Sequence, residues 1–183
     1  MSKESKTLPA LFGGKRTINY KFKKYNSIGK EELIAASKVI KSGNLSGFVA
    51  GKDKDFYGGT FVNKFEQYLK KFYGVKFAIT VNSWTSGLIS AIGALDIEPG
   101  DEIITTPWTM CACATAILHW NAIPVFADID EKTFCISPES IKKKISKKTK
   151  AILAVDIFGI SADVEKIKKI IKNKNISIIS DSA

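Results

Sequence analysis

Apolar positions along the chain follow two rhythms. In one, four to six adjacent residues are mostly apolar, as in 76–81, 102–105, 123–127, 151–155 and 176–180, and such short runs predict strands. In the other, apolar residues recur every three or four positions, as in 85–95, 110–120, 138–145 and 163–172, and this period predicts helices. A further helix is predicted upstream over 29–41. Strand and helix alternate from residue 76 to the end, with the turn EPGD at 98–101 between two of the units. That alternation predicts an α/β fold with a mostly parallel sheet covered on both faces.

Punctuation by glycine divides the chain in two. Residues 1–60 read as an N-terminal arm, one helix and a glycine-rich loop (42–60, SGNLSGFVAGKDKDFYGGT), and residues 61–183 as the first part of a larger α/β domain. Within the loop, GFVAGK (47–52) has the glycines and lysine of a phosphate loop but three residues between glycines where four are required. Asp53 also replaces the magnesium-binding hydroxyl, and no apolar strand precedes it. A nucleotide triphosphatase is therefore not expected.

Composition narrows the function classes. A chain of 183 residues, 45% hydrophobic and 25% charged, is long enough for one packed domain. No apolar run approaches the roughly 20 residues that span a bilayer, and MSKESKTLPALFGG lacks the apolar centre of a secretion signal, so a cytoplasmic protein without membrane attachment is expected. The net charge of +10 comes almost wholly from lysine, with Arg16 the only arginine. In 164–174 the lysines fall between Val164, Ile167, Ile170 and Ile171 and so occupy the solvated face of an amphipathic helix. Without arginines for bidentate base contacts, nucleic acid is not an expected partner. Cys111, Cys113 and Cys135 form no second pair at zinc spacing and are expected to be reduced thiols, with no metal bound. His119, amid apolar helical positions, is expected to pack rather than to catalyse.

One stretch raises a chemical question. VNSWTSGL (81–88) places Asn, Ser, Thr, Ser and Gly where a predicted strand gives way to a helix. In an open α/β sheet that junction faces the ligand side, and a helix N-terminus there offers free N–H groups to an anion. Ser83, Thr85 and Ser86 suit either of two roles, plain helix capping or binding of a phosphate group, and the motif alone leaves both open.

Further junctions follow in order: ITTPWTMCACATAIL (104–118), IPVFADIDEKTFCIS (123–137), TKAILAVDIFGISADVEKI (149–167) and IISDSA (178–183). With LPALFGGKR, GKEELIAASKVIKSGNLSG and TFVNKFEQYLKKFYGVKFAITVNSWTSGL before them, they resemble the DegT/DnrJ/EryC1/StrS sugar aminotransferases, pyridoxal-phosphate enzymes of fold type I, over nearly the whole chain from about Leu8. The resemblance implies a three-layer large domain, here incomplete at its C-terminal end. It implies that Ser83-Trp84-Thr85 matches the cofactor's phosphate loop, with backbone amides and the Thr85 hydroxyl as ligands, and that Thr109-Met110 matches the turn whose side chain covers the pyridine ring. Ser180-Asp181-Ser182-Ala183 matches the strand end whose aspartate partners the ring nitrogen, which makes Asp181 the catalytic carboxylate. The chemistry asks for such an anion, because it keeps the nitrogen protonated and the ring able to take up electrons.

Three departures from the family pattern qualify these roles. Trp84 stands in place of a small residue, and Met110 in place of an aromatic, for which Trp108 offers a partial substitute. The lysine that binds the cofactor aldehyde lies, in the family, beyond the aspartate strand, whereas this sequence ends at Ala183. The expectation is an N-terminal fragment of a cytoplasmic, homodimeric aminotransferase of polysaccharide and nucleotide-sugar biosynthesis. It would move an amino group from glutamate or glutamine to a nucleotide-linked keto-sugar or a ketocyclitol, and the 183 residues alone would be inactive. Two alternatives accompany it: a sugar 3-dehydratase of the same family, with histidine in the lysine's place, and a non-catalytic regulatory member.

Overall fold

An unbroken apolar run, Ala151 to Val155, fills most of the strand at the centre of the sheet. This strand, β3 (Thr149–Val155), is buried on both faces, which requires a layer of helices on each side. Its neighbours are β1 (Glu102–Thr105) and β4 (Ser177–Asp181), and β2 (Ile123–Phe126) pairs with β1, giving the all-parallel order β2-β1-β3-β4. Pro124, which has no amide to donate, lies in β2 at the edge, where a missing ladder bond is tolerated. The computed structural model describes residues 8–45, 47, 51 and 56–183, and the chain divides into two units, Met1–Phe65 and Glu66–Ala183.

Strand alternation sorts the core into two layers. Ile103, Ala151, Leu153 and Val155 face one side and pack with Leu88 and Ile92 of helix α3 (Trp84–Gly93) and with Cys113, Ala116 and Ile117 of α4 (Ala112–His119). Ile104, Ile152 and Ala154 face the other and meet Ile141 of α5 (Pro138–Lys144) and Ile167 and Ile171 of α6 (Val164–Ile171). The connection from β1 to β2 runs through α4 on the first face, whereas those from β2 to β3 and from β3 to β4 run through α5 and α6 on the second. Right-handed crossovers demand this, since connections that travel in opposite directions along a sheet must use opposite faces. Chain direction therefore reverses between β1 and β3, and a crevice opens beyond their C-terminal ends.

In the first unit, α1 (Lys30–Ser42) starts where the Gly29 amide donates to the Glu32 carboxylate at 2.7 Å, a bond that holds this exposed carboxyl below its ordinary range. It stops at Gly43, whose φ of 69° lets its amide turn back to the Ile40 carbonyl at 3.1 Å. Much of the glycine-rich loop, including most of GFVAGK, lies outside the described residues; of the rest, Gly58 donates to the Gly47 carbonyl at 3.1 Å. The helix α2 (Thr60–Tyr73), which the unit boundary crosses, has its signal in Phe61, Phe65, Tyr68 and Phe72 at helical spacing, a pattern the sequence analysis passed over.

The expected strand at 76–81 is not a strand. The segment is extended, and its period-two pattern survives, with Phe77 80% and Ile79 82% exposed on one side. Its amides, however, find no neighbouring strand among the described residues. The Thr80 amide and hydroxyl both donate to the Glu66 carboxylate, at 2.8 and 2.9 Å, so a side chain takes the place of a ladder. The remaining elements lie within a few residues of their predicted bounds. His119 also departs from expectation: it is exposed at the end of α4, its ring edge-on to Trp120 at 5.7 Å. Trp120 closes that end of the layer by donating its indole N–H to the Ile89 carbonyl at 2.8 Å.

Leu153→Ala, in the centre of β3, is expected to lower unfolding free energy by about 2–5 kcal/mol, read from the midpoint of chemical denaturation, while Lys168→Ala on the solvated face of α6 changes it by less than about 0.5 kcal/mol.

Candidate active site

The C-terminal ends of β1, β3 and β4 open on a cavity of about 510 Å³. Its wall is supplied by Trp108, Thr109 and Met110 after β1, by Asp156 and Phe158 after β3, and by Asp181 and Ala183 at the end of β4. This is the crevice the topology creates. Parallel register sets the depth of Asp181: it stands beside Val155, and its carbonyl accepts the Asp156 amide at 2.8 Å. Asp156 in turn accepts the Ser182 hydroxyl at 2.7 Å and the Ala162 amide at 2.9 Å, which fixes the chain on either side of the carboxylate.

Asp181 is only 5% exposed. Its side chain lies on the α3/α4 side of the sheet, where both helices begin. Oδ1 accepts the indole N–H of Trp84, the first residue of α3, and the Ala183 amide at 3.2 Å; Oδ2 accepts the thiol of Cys113, in the first turn of α4, at 3.3 Å. Two helix N-termini so close together favour a negative charge. Among the described residues no lysine or arginine forms an ion pair with Asp181. Burial of a carboxylate costs desolvation, and a cationic group in the adjoining cavity would help to offset it. The chemistry of the donor set thus fits a protonated ring nitrogen.

The same carboxylate acts on Cys113. The thiol is raised to about 11 from an ordinary 9.0, chiefly by burial; a hydrogen bond with Thr109 (3.5 Å) works against this, and the hydrogen bond and negative charge of Asp181 add to it. Cys113 is therefore a donor at every ordinary pH.

At the start of α3, Ser83 caps the helix by accepting the Ser86 amide at 3.2 Å, and the two hydroxyls meet at 3.1 Å. The amides of Trp84 and Thr85 lie in the first turn, where the helix has no acceptor for them. Capping thus uses only one of the hydroxyls in VNSWTSGL and leaves Thr85 and two amides for an anion. The structure brings Met110, which is 72% exposed, and Asp181 to one cavity and joins Trp84 to Asp181 through its side chain, but Ser83 and Thr85 are not part of that cavity's wall. Sequence reasoning assigned Trp84 through its backbone alone and missed Cys113. The available signal was Thr109-x-x-x-Cys113, which at helical spacing puts a hydroxyl and a thiol on one side of a helix start. Among the described residues no cluster of three or more His, Cys, Asp or Glu side chains is placed to hold a metal ion, and no helix is long and apolar enough to cross a membrane.

Residues 48–183 match the profile of the DegT/DnrJ/EryC1/StrS aminotransferase family. The chain belongs to this family. It is 38% identical over 156 residues to the spore coat polysaccharide biosynthesis protein SpsC of Bacillus subtilis (strain 168), a match covering 85% of the chain and 37% of SpsC. It is 37% identical over 125 residues to the GDP-perosamine synthase of Vibrio cholerae, covering 68% of the chain and 34% of that protein. The chain thus spans well under half the length of these curated relatives. Its fold superimposes with a TM-score of 0.75 and 26% identity on GDP-4-keto-6-deoxymannose-3-dehydratase, solved with a trapped PLP-glutamate geminal diamine, over 86% of this chain and 40% of that one. The four-stranded sheet and its helices are accordingly part of the large domain of fold-type I transferases.

A raised thiol pKa has a definite sign for stability. The folded state holds the Cys113 proton more tightly than the unfolded state, so the contribution is fully present below pH 9 and is lost as pH climbs from 9 to about 11. In a Cys111→Ser, Cys135→Ser background, thiolate absorbance should titrate near pH 11, and Asp181→Asn should bring the midpoint down.

Proposed function

We propose that this chain forms the front half of the cofactor-binding domain of a pyridoxal-phosphate-dependent sugar aminotransferase. Its acceptor would be the keto group of a nucleotide-linked sugar or a ketocyclitol, with glutamate or glutamine as amino donor. In this reading the protein is cytoplasmic and works as a homodimer, and the lysine that binds the cofactor aldehyde comes from sequence beyond residue 183. The observation that carries the reading is Asp181: a buried carboxylate on the wall of a cavity, held by neutral donors and, among the described residues, without a basic partner.

Each residue then has a task. The first-turn amides of α3 and the Thr85 hydroxyl bind the phosphate group, with Ser83 holding the turn in place. Met110 covers one face of the ring. Asp181 holds the proton at the ring nitrogen. When bound, pyridoxal phosphate supplies a protonated ring that takes up the electron pair left when a substrate's Cα proton is removed. The neutral donors around Asp181 matter here, since a lysine at the same place would neutralise the carboxylate that the ring requires.

A second reading is favoured by the likeness to GDP-4-keto-6-deoxymannose-3-dehydratase. A dehydratase would use the same phosphate loop and the same carboxylate and would differ at the residue that meets the aldehyde. Borohydride separates the two in the full-length protein. Reduction should fix the cofactor covalently to an aminotransferase and leave it removable from a dehydratase.

The site assignments have their own test. In the full-length protein, Asp181→Asn should retain cofactor and lower amino transfer by orders of magnitude, because it keeps the shape and removes the charge. Thr85→Ala should weaken cofactor binding by about 1–3 kcal/mol and spare turnover at saturation. Near-normal turnover in Asp181→Asn would overturn the assignment of β4 to the ring nitrogen.

A further inference from the structure

Trp84 occupies the position that, in the family pattern, a small residue fills, and its indole ring reaches the carboxylate at the end of β4. The ring remains 44% exposed, so burial alone does not dictate its place. What does is a pair of contacts. Its N–H donates to Asp181 Oδ1, and its six-membered edge lies on Gly87, one turn further along α3. A Cβ at residue 87 would stand 2.8 Å from Trp84 Cε3 and 3.0 Å from Cζ3, inside van der Waals contact. Glycine inside a helix is less stable than alanine by about 1 kcal/mol, and here it falls at the position where a methyl group would push the ring aside.

An aspartate carboxylate rotates freely about its last torsion unless something holds it. Asp181 is held at both oxygens by groups that can only donate in these contacts, the indole N–H at Oδ1 and the Cys113 thiol at Oδ2. The two donors come from different helices, so the plane of the carboxylate is fixed relative to the sheet. The Ala183 amide also donates to Oδ1, at 3.2 Å, and the lone pairs that remain are open to a further donor from the cavity.

We propose that Trp84, seated on Gly87, is a positioning residue that with Cys113 sets the orientation in which Asp181 meets the nitrogen of the cofactor ring. The inference rests on the functional reading above, in that it takes the ring nitrogen to be the partner of Asp181. It adds that the tryptophan side chain contributes to cofactor recognition through the ring nitrogen and not through the phosphate.

The test compares two binding ratios in the full-length protein. The first sets pyridoxal phosphate against an analogue with carbon in place of the ring nitrogen and reads the contact with Asp181. The second sets pyridoxal phosphate against pyridoxal and reads the phosphate contact. The unsubstituted protein should prefer the nitrogen ring on the order of tenfold, the scale of one charge-assisted hydrogen bond, and Asp181→Asn should abolish that preference. Trp84→Phe keeps the ring and removes the donor; Gly87→Ala keeps the donor and displaces the ring. Both should lower the nitrogen preference severalfold and leave the phosphate ratio unchanged, and Gly87→Ala should do so without a fall in thermal stability. A nitrogen preference that Asp181→Asn abolishes but neither other variant alters overturns the role of Trp84 while the functional reading stands. A loss shared equally by the two ratios overturns it as well, since it marks a general structural effect. Absence of any nitrogen preference in the unsubstituted protein overturns both. Should Trp84→Phe fail to fold, Gly87→Ala carries the same comparison alone.

Discussion

A nearly buried carboxylate that has no basic partner among the described residues is the constraint around which this half-domain is arranged. Asp181 is kept in the interior by three neutral donors, from the first residue of α3, the first turn of α4 and the backbone at Ala183. Each donor depends on a different part of the fold. Trp84 requires that α3 begin beside β4; Cys113 requires that α4 begin on the same face of the sheet; Ala183 requires that the chain turn immediately after the strand. Neither helix donor would reach the charge if β4 slipped by one residue, because the carboxylate would then point to the α5/α6 layer. The parallel ladder from Ala151↔Ser177 to Val155↔Asp181 prevents that slip.

The same constraint explains why the cavity lies where it does. Right-handed crossovers send α4 to one face and α5 and α6 to the other, so the loops after β1 and β3 part from each other at the centre of the sheet. Met110 follows β1, Asp156 and Phe158 follow β3, and Asp181 closes β4, which brings three separate sequence segments to one wall. Phe134 and Phe158 both adopt left-handed backbone conformations, with φ of 61° and 53°, and their rings meet edge to face at 6.0 Å next to Trp108. Bulky residues rarely adopt this conformation, and here two of them do so beside the same cavity.

Much of this could be read from the sequence, and the reasons for the rest are physical. Strand β3 was legible because its apolar run from Ala151 to Val155 is unbroken, β1, β2 and β4 because each carries adjacent apolar residues, and the helices because α3 to α6 each turn one apolar face to the sheet. The segment 76–81 has the same pattern as a strand, but a strand exists only with a partner, and pairing is not written in a single segment; Glu66 binds Thr80 instead. Helix α2 has its period in the aromatic residues 61, 65, 68 and 72, which remain exposed and are not part of the core that marks α3 to α6. The position of Asp181 at the end of a strand was legible from its motif. Its donors were not, since Trp84 and Cys113 lie 97 and 68 residues away from it along the chain.

That separation bears on how a tryptophan can stand in the turn proposed to bind the cofactor phosphate. The anion-binding capacity of a helix start resides in backbone amides, and amides are unaffected by the identity of the side chain they carry. The side chain at position 84 is therefore free to serve elsewhere, provided its bulk has somewhere to lie. Gly87 supplies the room, and Asp181 supplies an acceptor. Thr85, by contrast, has only its short hydroxyl to offer and can act no further than the turn itself. Within four residues, then, the motif WTSG joins the two proposed binding functions, one local and carried by the backbone, the other long-range and carried by one indole N–H.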